Sequence, residues 1–372
     1  MSKLTKYKFS DLYEMSSGIS SSKAQAGHGF PFISFSTVFN NYFLPEELPD
    51  LMDTSHKEQE IFSVKKDDVF ITRTSETVDA LAMSCVAVKD YPKATFSGFV
   101  KRLRPKTTGI VYSKYIAFFL RSKYFRKVLD CNTIMTLRAS FNEDMFSFLY
   151  LYLPDYEEQV KIGDLLYNME MKIRTNNRIN DNLEQQMRLI FENMMAKAEN
   201  HKLAGKYTVA RNLTSVVTGK EDANFSVPNG KYKFFTCSNM PLLCNDYMFD
   251  SSSILIAGNG DFNVKHYTGK FNAYQRTYVL TPDEKYFALL YLACLYRINS
   301  FKSRSSGSIV KFITKSDVEN IPVFIPNDKF YLQELNKLLY LQEQNKLENE
   351  SLINLRDWLL PMLMNGQATI ND

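Results

Sequence analysis

The sequence predicts an α+β protein in which two mixed α/β heads are separated by two long helices that pair as an antiparallel coiled coil. The first observation is a duplication, because the segment Pro154–Met195 has a weaker echo in Pro326–Met364. Each copy also follows a stretch that ends in an apolar strand and a proline, LYLYLP and IPVFIP. Both copies carry a heptad pattern of apolar residues. We therefore divide the chain into head, helix, head and helix with tail, at residues 1–155, 156–200, 201–327 and 328–372.

Each head is predicted to combine short strands with one helical stretch. Three segments of the first head have counterparts in the second head, in the same order. PFISFSTV (31–38) corresponds to KFFTCSNM (233–240), DDVFITRT (67–74) to SSSILIAG (251–258), and ATFSGFVKRLRP (94–105) to FNAYQRTYVLTP (271–282). The helical stretches that follow are Ser113–Leu129 and Glu284–Phe301. The heads are therefore expected to share one mixed α/β layout.

The two long helices are predicted to pair along seams that are apolar at the ends and polar near the middle. The first seam consists of Ile162, Leu166, Met169, Ile173, Asn176, Asn180, Leu183, Met187, Ile190 and Met194. The second consists of Leu338, Leu341, Asn345, Glu348, Leu352, Leu355, Leu359 and Met362. A buried Asn costs stability but fixes the register, because a slipped pairing leaves its amide without a partner. The alternative is that each helix packs only on its own head.

The first helix is expected to be long and continuous. No proline interrupts Glu157–Lys197, which spans roughly 60 Å at about 1.5 Å per residue, and only Gly163 weakens it. In the second helix, Pro361 is expected to end or kink the helix and to leave a short tail. Such rods suggest a spacer that holds the two heads a fixed distance apart.

The composition is that of an ordinary soluble globular protein, with 45% hydrophobic and 23% charged residues in 372. There is no run of 18 apolar residues and no apolar signal segment near the start, so we expect a cytoplasmic protein without a membrane span. The five cysteines form no CxxC pair and are expected to be reduced. The four histidines lie far apart, so no metal site is expected.

The positive charge of the chain is concentrated in the heads. Glu157–Glu199 contains 8 acidic and 6 basic residues, and Asp328–Asp372 contains 7 acidic and 4 basic residues, whereas the net charge of the whole chain is +4. Between Lys89 and Lys127 there are 11 Lys or Arg residues and one acidic residue. Between Arg297 and Lys315 there are five Lys or Arg residues and no acidic residue. Both clusters come shortly before the closing strand of their head. Basic heads and acidic helices favour heads that bind a polyanion.

The helical motifs resemble those of one known family. These motifs are the strand ending in Pro, then EEQVKI (157–162), the Asn176-Asn177-Arg178 centre and the closing LRDWLLPMLMNGQ (355–367). Together they resemble the specificity (S) subunit of type I restriction–modification systems. The second helix departs from the pattern, because Lys329, Phe330 and Tyr331 stand where the first helix has EEQ.

The resemblance implies a non-catalytic, DNA-binding subunit of a multisubunit methyltransferase and restriction enzyme. Each head would be a target recognition domain for one half of a bipartite, asymmetric sequence in double-stranded DNA. The helices would space the heads and dock two modification (methyltransferase) subunits, which carry the S-adenosylmethionine; restriction/translocase subunits would join them. This chain would bind no cofactor of its own. The residues agree with that role, since the sequence contains no NPPY-like or DPPY-like motif and no glycine-rich phosphate loop.

Bases are read by side chains on loops, whereas Lys and Arg elsewhere hold phosphates. The base-reading candidates are Arg73, Thr74, Ser75, Thr136, Arg138 and Ser140 in the first head, and Asn259, Lys302, Arg304, Ser305, Ser306 and Lys311 in the second. The phosphate candidates are Lys101, Arg102, Arg104, Lys123, Arg126, Lys127, Lys270 and Arg276. The candidates for the partner interface are Arg174, Arg178, Arg188, Arg356 and Trp358.

Two other functions are compatible with the same pattern. One is a coiled-coil adaptor with two protein-binding heads. The other is the same fold serving a related methylation-only or phage-defence complex. Salt-dependent DNA binding separates the adaptor from the other readings, because phosphate contacts make the affinity fall steeply with salt.

Overall fold

The structure, a computed structural model, describes residues 4–20, 22–75, 80–132, 139–260, 262–304 and 312–370. The chain forms two compact units. The first consists of Met1–Thr175 with Glu348–Asp372, and the second of Asn176–Leu347. Each unit contains one head and a part of each long helix.

The first head contains strands β1 to β11 and helices α1 to α6, and it leads into the long helix α7. The strands are β1 Thr5–Lys8, β2 Tyr13–Ser17, β3 Ala26–Ile33, β4 Asp50–Met52, β5 Val69–Thr72, β6 Thr74–Ser75, β7 Ser84–Val86, β8 Thr95–Phe96, β9 Val100–Pro105, β10 Ala139–Ser140 and β11 Tyr150–Leu153. The helices are α1 Phe9–Leu12, α2 Phe35–Asn40, α3 His56–Ile61, α4 Ser113–Phe119, α5 Lys123–Asn132, α6 Glu143–Phe148 and α7 Tyr156–Glu199. The sheets have the orders β2-β9-β5-β7, β4-β3-β8, β1-β11 and β10-β6.

The second head is built around one six-stranded sheet, in the order β13-β18-β16-β17-β14-β15. Its strands are β12 Gly205–Val209, β13 Val216–Thr218, β14 Tyr232–Phe235, β15 Leu242–Cys244, β16 Phe249–Ala257, β17 Val264–Ala273, β18 Thr277–Leu280 and β19 Pro322–Pro326. Its helices are α8 Glu284–Arg304 and α9 Lys315–Glu319, followed by the long helix α10 Lys329–Met364. The mixed α+β fold class is confirmed.

The strand registers confirm that the heads share one layout. In the first head β3 runs parallel to β8 with Ile33 opposite Phe96, and in the second β14 runs parallel to β17 with Phe235 opposite Ala273. These are the pairs that the aligned segments predict. One alignment was wrong by a residue, because Thr72 lies opposite Val100 whereas Ala257 lies opposite Thr277. Thr72 therefore corresponds to Ala257, and the residues after them, Arg73 and Gly258, are equivalent.

Each head is closed by pairing of its first strand with its last. β1 pairs antiparallel with β11, and β12 pairs antiparallel with β19. The two apolar segments predicted as closing strands, LYLYLP and IPVFIP, form β11 and β19 as expected. The chain then enters a long helix at a capping Asp: Asp155 Oδ1 accepts a hydrogen bond from the Glu158 N–H, and Asp328 Oδ1 accepts one from the Phe330 N–H.

Within the first unit, α7 and α10 belong to the core of the head. Ile162 and Leu166 of α7 and Leu363 and Met364 of α10 are buried among the aromatic residues of the head. The two helices are antiparallel here, because Glu170 bonds to Arg356 (3.1 Å) whereas the later Lys172 bonds to the earlier Glu348 (3.3 Å).

The second unit repeats this arrangement with its own part of the two helices. Leu183 and Met187 of α7 and Leu335 and Leu338 of α10 are buried in the core of the second head. Asn345 Nδ2 donates to Asn180 Oδ1 (2.9 Å), so a polar contact lies in the seam as the sequence predicts.

The predicted seam of α7 is confirmed, since all ten positions are buried or half-buried. The predicted seam of α10 is confirmed at Leu338, Asn345, Leu352, Leu359 and Met362, which are buried or half-buried, and is wrong at three positions. Leu341, Glu348 and Leu355 are exposed. The inward positions are instead those one residue later, namely Gln342, Asn349 and Arg356, and the first two of these are buried. Polar seam residues are satisfied by partners on α7, whereas the pattern of leucines favoured the wrong face.

Of the two outcomes expected at Pro361, an end or a kink, the end is wrong, because the helix continues past it to Met364. The end is set by Gly366, whose φ of +66° suits glycine, and whose neighbour Gln367 donates its N–H to the Met362 carbonyl (2.9 Å).

Within the described parts of the chain, no helix has the length and apolarity that a bilayer span requires. All five cysteines are free thiols.

Candidate nucleic-acid interface

In the first head, the end of β5 places Arg73 on the surface between two other segments. The Arg73 N–H donates to the Phe99 carbonyl (2.9 Å), and its own carbonyl accepts from the Phe141 N–H (2.8 Å). The Arg73 side chain is exposed, with one long contact from Nη1 to the Gly98 carbonyl (3.4 Å). Thr74 follows at once in β6 and pairs with Ser140 of β10. Arg73 is therefore positioned by the backbone while its guanidinium faces solvent.

The second head builds the same backbone arrangement at the end of β16. The Gly258 N–H donates to the Arg276 carbonyl (2.8 Å), and the Gly258 carbonyl accepts from the Ile313 N–H (2.9 Å). Arg276 is exposed, and Asn259 is half-buried next to Gly258. Both heads thus present an exposed Arg at an equivalent strand end, one directly after the strand and one on the neighbouring turn.

A loop that the sequence did not single out lies beside this point of the second head. The Cys237 carbonyl accepts from Asn263 Nδ2 (2.8 Å), and the Ser238 carbonyl accepts from Lys265 Nζ. Burial lowers the pKa of Lys265, and Met240 at the tip of the loop is 77% exposed. The only sequence signal for it was the match of KFFTCSNM with PFISFSTV, which located β14 and the residues that follow it.

Several predicted residues fall outside what the structure describes. Thr136, Arg138, Ser305, Ser306 and Lys311 lie outside the described residues, and for Lys302 and Arg304 only the backbone, in α8, is described. They remain predictions. Among the described residues, Phe141 bonds to Arg73 and Ile313 bonds to Gly258, at the equivalent strand ends.

Four of the predicted phosphate contacts in the first head make internal contacts instead. Lys101 Nζ bonds to Ser17 Oγ (2.9 Å) and to Glu143 (3.2 Å), and Arg102 Nη1 donates to the Ser63 carbonyl (2.6 Å). Arg104 forms a bidentate pair with the fully buried carboxylate of Asp68 (2.6 and 2.7 Å), which raises the pKa of Arg104. Arg126 donates to the backbone carbonyls of Leu81, Ala82 and Leu120.

These contacts count against phosphate binding by Lys101, Arg102, Arg104 and Arg126. Three of them lie on β9, where Val100 to Leu103 are all buried, so side chains on both faces of this strand enter packed layers. Lys101 and Arg102 are buried as a result. Arg126 lies on α5, and its guanidinium bonds to backbone carbonyls. The other four phosphate candidates, Lys123, Lys127, Lys270 and Arg276, are exposed.

The candidates for the partner interface divide in the same way. Arg174 donates to the Phe43 carbonyl (2.6 Å), and Arg356 pairs with Glu170 and lies over the ring of Tyr42 (5.3 Å), so both attach the helices to the first head. Arg178 and Arg188 are exposed, and Trp358 is 63% exposed.

Two comparisons place the chain among known proteins. Its curated relative, the type I restriction enzyme EcoDI specificity subunit of Escherichia coli, is 37% identical over 164 residues, which cover 42% of this chain and 37% of that protein. The chain thus matches little more than a third of that relative's length. A solved S subunit of a type I restriction–modification system from M. genitalium has a TM-score of 0.65 at 16% identity, covering 97% of this chain and 96% of its own. That likeness supports the same fold.

The family profile described as type I restriction modification DNA specificity domain matches residues 1–185 and again residues 196–355. The two matches coincide with the two repeats of head and helix that the strand registers reveal. Because nearly the whole chain is matched, in two consecutive copies, the chain belongs to the family of type I restriction modification DNA specificity domains.

Proposed function

We propose that this chain is the DNA-recognition subunit of a type I restriction–modification complex, and that each head reads one half of a bipartite, asymmetric target. The observation that carries the proposal is the repeated strand end, which presents an exposed Arg73 in one head and Arg276 in the other. An Arg on a positioned backbone is suited to bidentate contacts with guanine in the major groove. Family membership supports the same reading.

The base-reading set of the proposal combines described and undescribed residues. In the first head the described members of this set are Arg73, Thr74, Ser75 and Ser140. In the second head the described member is Asn259, and we reassign Arg276 from the phosphate candidates to the base-reading set. The segments 133–138 and 305–311 complete the two sets as predictions. Loops that differ in sequence, on a shared scaffold, allow the two heads to read different bases.

Phosphate contacts are proposed for exposed lysines, and one pair of them is equivalent in the two heads. Lys93 precedes β8 and lies 5.5 Å from the ring of Phe30, whereas Lys270 occupies the corresponding position in β17 and lies 4.6 Å from the ring of Tyr247. Lys93 has a φ of +60°, which is unfavourable for a residue other than glycine. A ring beneath the ammonium group limits its motion. We add Lys93 to the proposed phosphate contacts Lys123, Lys127 and Lys270.

The long helices are proposed to space the heads and to dock two methyltransferase subunits, on which the S-adenosylmethionine is carried. Trp358 and Leu355, three residues apart on α10, are 63% and 43% exposed. Exposed aromatic residues of this kind are typical anchors of protein interfaces. Arg178 and Arg188 are the proposed contacts on α7. We also propose that restriction subunits join this complex and that it is located in the cytoplasm. The proposed domain boundaries lie at residues 155, 200 and 327.

Methylome sequencing tests the proposal as a whole. Cells with and without the gene are compared, and a split, asymmetric adenine-methylation motif is expected to disappear in the deletion and to return on complementation. An unchanged methylome in a strain that expresses the intact complex contradicts the proposal.

A further inference from the structure

The first unit contains an open groove of about 550 Å³ that is separate from the candidate nucleic-acid interface. One side is the turn from Lys65 to Asp67 and the other is the loop that follows β9, from Pro105 to Gly109. Tyr156 and Tyr167 of α7 form part of the wall. None of the base-reading candidates lines it, and only Arg104 of the phosphate candidates does.

The groove carries positive charge that the protein does not neutralise. Lys65 and Lys66 are exposed, and neither forms an ion pair within the described residues; Lys106 donates only to the Ser10 carbonyl (2.8 Å). The other two cations of the lining are neutralised, because Arg104 pairs with Asp68 and Lys114 pairs with Asp164 (2.8 Å). Three lysines therefore remain available to an anion, beside one acidic residue of the lining, Asp67, whose Oδ1 accepts a hydrogen bond from Ser113 Oγ.

The groove is held open by a glutamine of the long helix. Gln159 is buried at the start of α7, and its Nε2 donates to the Ile110 carbonyl (2.9 Å) while its Oε1 accepts from the Tyr112 N–H (3.0 Å). These bonds fix the loop between β9 and α4. Gly109 has a φ of +79°, which permits the turn. The loop is therefore preorganised rather than dependent on a ligand for its shape.

The second head lacks the elements that form this groove. Pro282 corresponds to Pro105, but α8 begins two residues later at Glu284, so no loop intervenes. Asp283 and Glu284 are acidic where the first head has Lys106. Counted from the equivalent caps Asp155 and Asp328, Leu332 stands at the position of Gln159. Within the described residues, the second head has no counterpart of this lysine-bearing loop, so the two heads differ in charge at this place.

We propose that this groove binds an acidic, extended segment of a partner protein. Its volume is that of a pocket for a ligand of drug size, which fits a few residues of a peptide but not the width of a DNA duplex. The lysines complement carboxylates, and Tyr156, which is 37% exposed, offers an apolar face. The ring of Tyr167 is already covered by Lys114 Nζ, 4.0 Å from its centroid. Since the second head has acidic residues at the equivalent place, the segment would engage one end of the chain only. The inference does not depend on the proposed reading of DNA.

The test uses the full chain and a fluorescein-labelled hexaglutamate peptide, with binding followed by fluorescence anisotropy. The triple variant Lys65→Glu, Lys66→Glu and Lys106→Glu is expected to bind the peptide about tenfold or more weakly, because three surface ion pairs become repulsive. The control is Lys23→Glu, Lys57→Glu and Lys202→Glu, which changes the net charge equally at exposed positions elsewhere and should bind like the unaltered chain.

Three results would overturn the proposal. The first is equal peptide binding by both triple variants, and the second is no peptide binding by the unaltered chain; either means that the groove has no preference for acidic peptides. The third is that the variant with Lys65, Lys66 and Lys106 changed to Glu loses binding to duplex DNA but still binds the peptide, which makes the groove a DNA contact. The substituted lysines are exposed, so both variants are expected to fold, as near-ultraviolet circular dichroism can verify.

Discussion

At the scale of single residues, the environment decides what each cation of the first head does. The run from Lys89 to Lys127 looks like one basic surface in the sequence, but Arg102, Arg104 and Arg126 bond to carbonyls or carboxylates inside the head. Burying a charge is tolerable only when it is paired and hydrogen-bonded. The lysines of the same run are mostly exposed, so the positive surface is smaller than the count suggests.

The pair Arg104–Asp68 gives a stability prediction. Arg104→Ala leaves the fully buried Asp68 carboxylate without its bidentate partner, so we expect the free energy of unfolding to fall by about 3 kcal/mol. Urea unfolding followed by circular dichroism measures it. Lys123→Ala, an exposed lysine of the same head, is the control and should change stability little. An Arg104→Ala protein as stable as this control contradicts the structural role.

Arg73 gives a prediction about specificity. If Arg73 reads a base, Arg73→Ala should weaken binding to the cognate sequence by about 1–3 kcal/mol and relax the preference at one base pair. Competition binding with single-base variants of the target measures both effects. Arg211→Ala, another exposed arginine, serves as the control. A uniform loss across all sequences instead assigns Arg73 to the phosphate backbone.

At the scale of elements, the seam of the long helices depends on polar partners as well as on leucines. Asn180 accepts hydrogen bonds through its side chain from Asn345 and through its carbonyl from Gln342. Leu341 and Leu355 are exposed although their spacing fits a heptad. Amides that bond across the seam stabilise one register, since any other register leaves them unpaired.

The Asn180–Asn345 contact is tested by a double-mutant cycle. Asn180→Leu leaves the Asn345 amide without its partner and should cost about 1–3 kcal/mol of unfolding free energy. Adding Asn345→Leu should recover most of the loss, because both polar groups are then removed. Thermal and urea unfolding measure the four proteins. Additive losses in the double variant contradict coupling between the two side chains.

Gly163 gives a second prediction for an element. In an isolated helix Gly163→Ala should be stabilising by about 1 kcal/mol. Here a Cβ at Gly163 would lie 2.8 Å from the Tyr112 ring and from the Tyr115 backbone nitrogen, so we expect a loss of about 1–3 kcal/mol. Asn168→Ala, at an exposed position of the same helix, is the control and should not destabilise. A stabilised Gly163→Ala protein contradicts the close packing of α7 on the head.

At the scale of the whole molecule, the duplication provides each head with an equivalent lysine, Lys93 and Lys270, which we propose to contact DNA. If Lys93 and Lys270 both contact phosphates, each change to Ala should reduce the slope of log affinity against log salt by about 0.9, and the double variant by about 1.8. Lys57→Ala with Lys202→Ala is the control. If only one of the two substitutions changes the salt slope, only one of these two lysines contacts DNA. The absence of any salt dependence favours the protein-binding adaptor.

Much of the architecture could be predicted because the chain repeats itself. The closing strands, the seam of α7 and the common layout of the heads follow from periodicity and from aligned segments. Three positions of the α10 seam could not, since Gln342, Asn349 and Arg356 face inward where the heptad pattern selects the residue before each of them. The EEQ motif was visible, but the role of Gln159 as the anchor of a distant loop was not.

The sequence by itself determined the number of modules, their order and the positions of the long helices, because these depend on local periodicity and on repetition within one chain. The tertiary structure decided which charges are available. Arg104 faces a buried Asp68, Lys65 and Lys66 face an open groove, and Arg73 lies exposed at a strand end. Burial and pairing depend on residues far apart in the chain, and a pattern of residue types along the sequence carries no record of them.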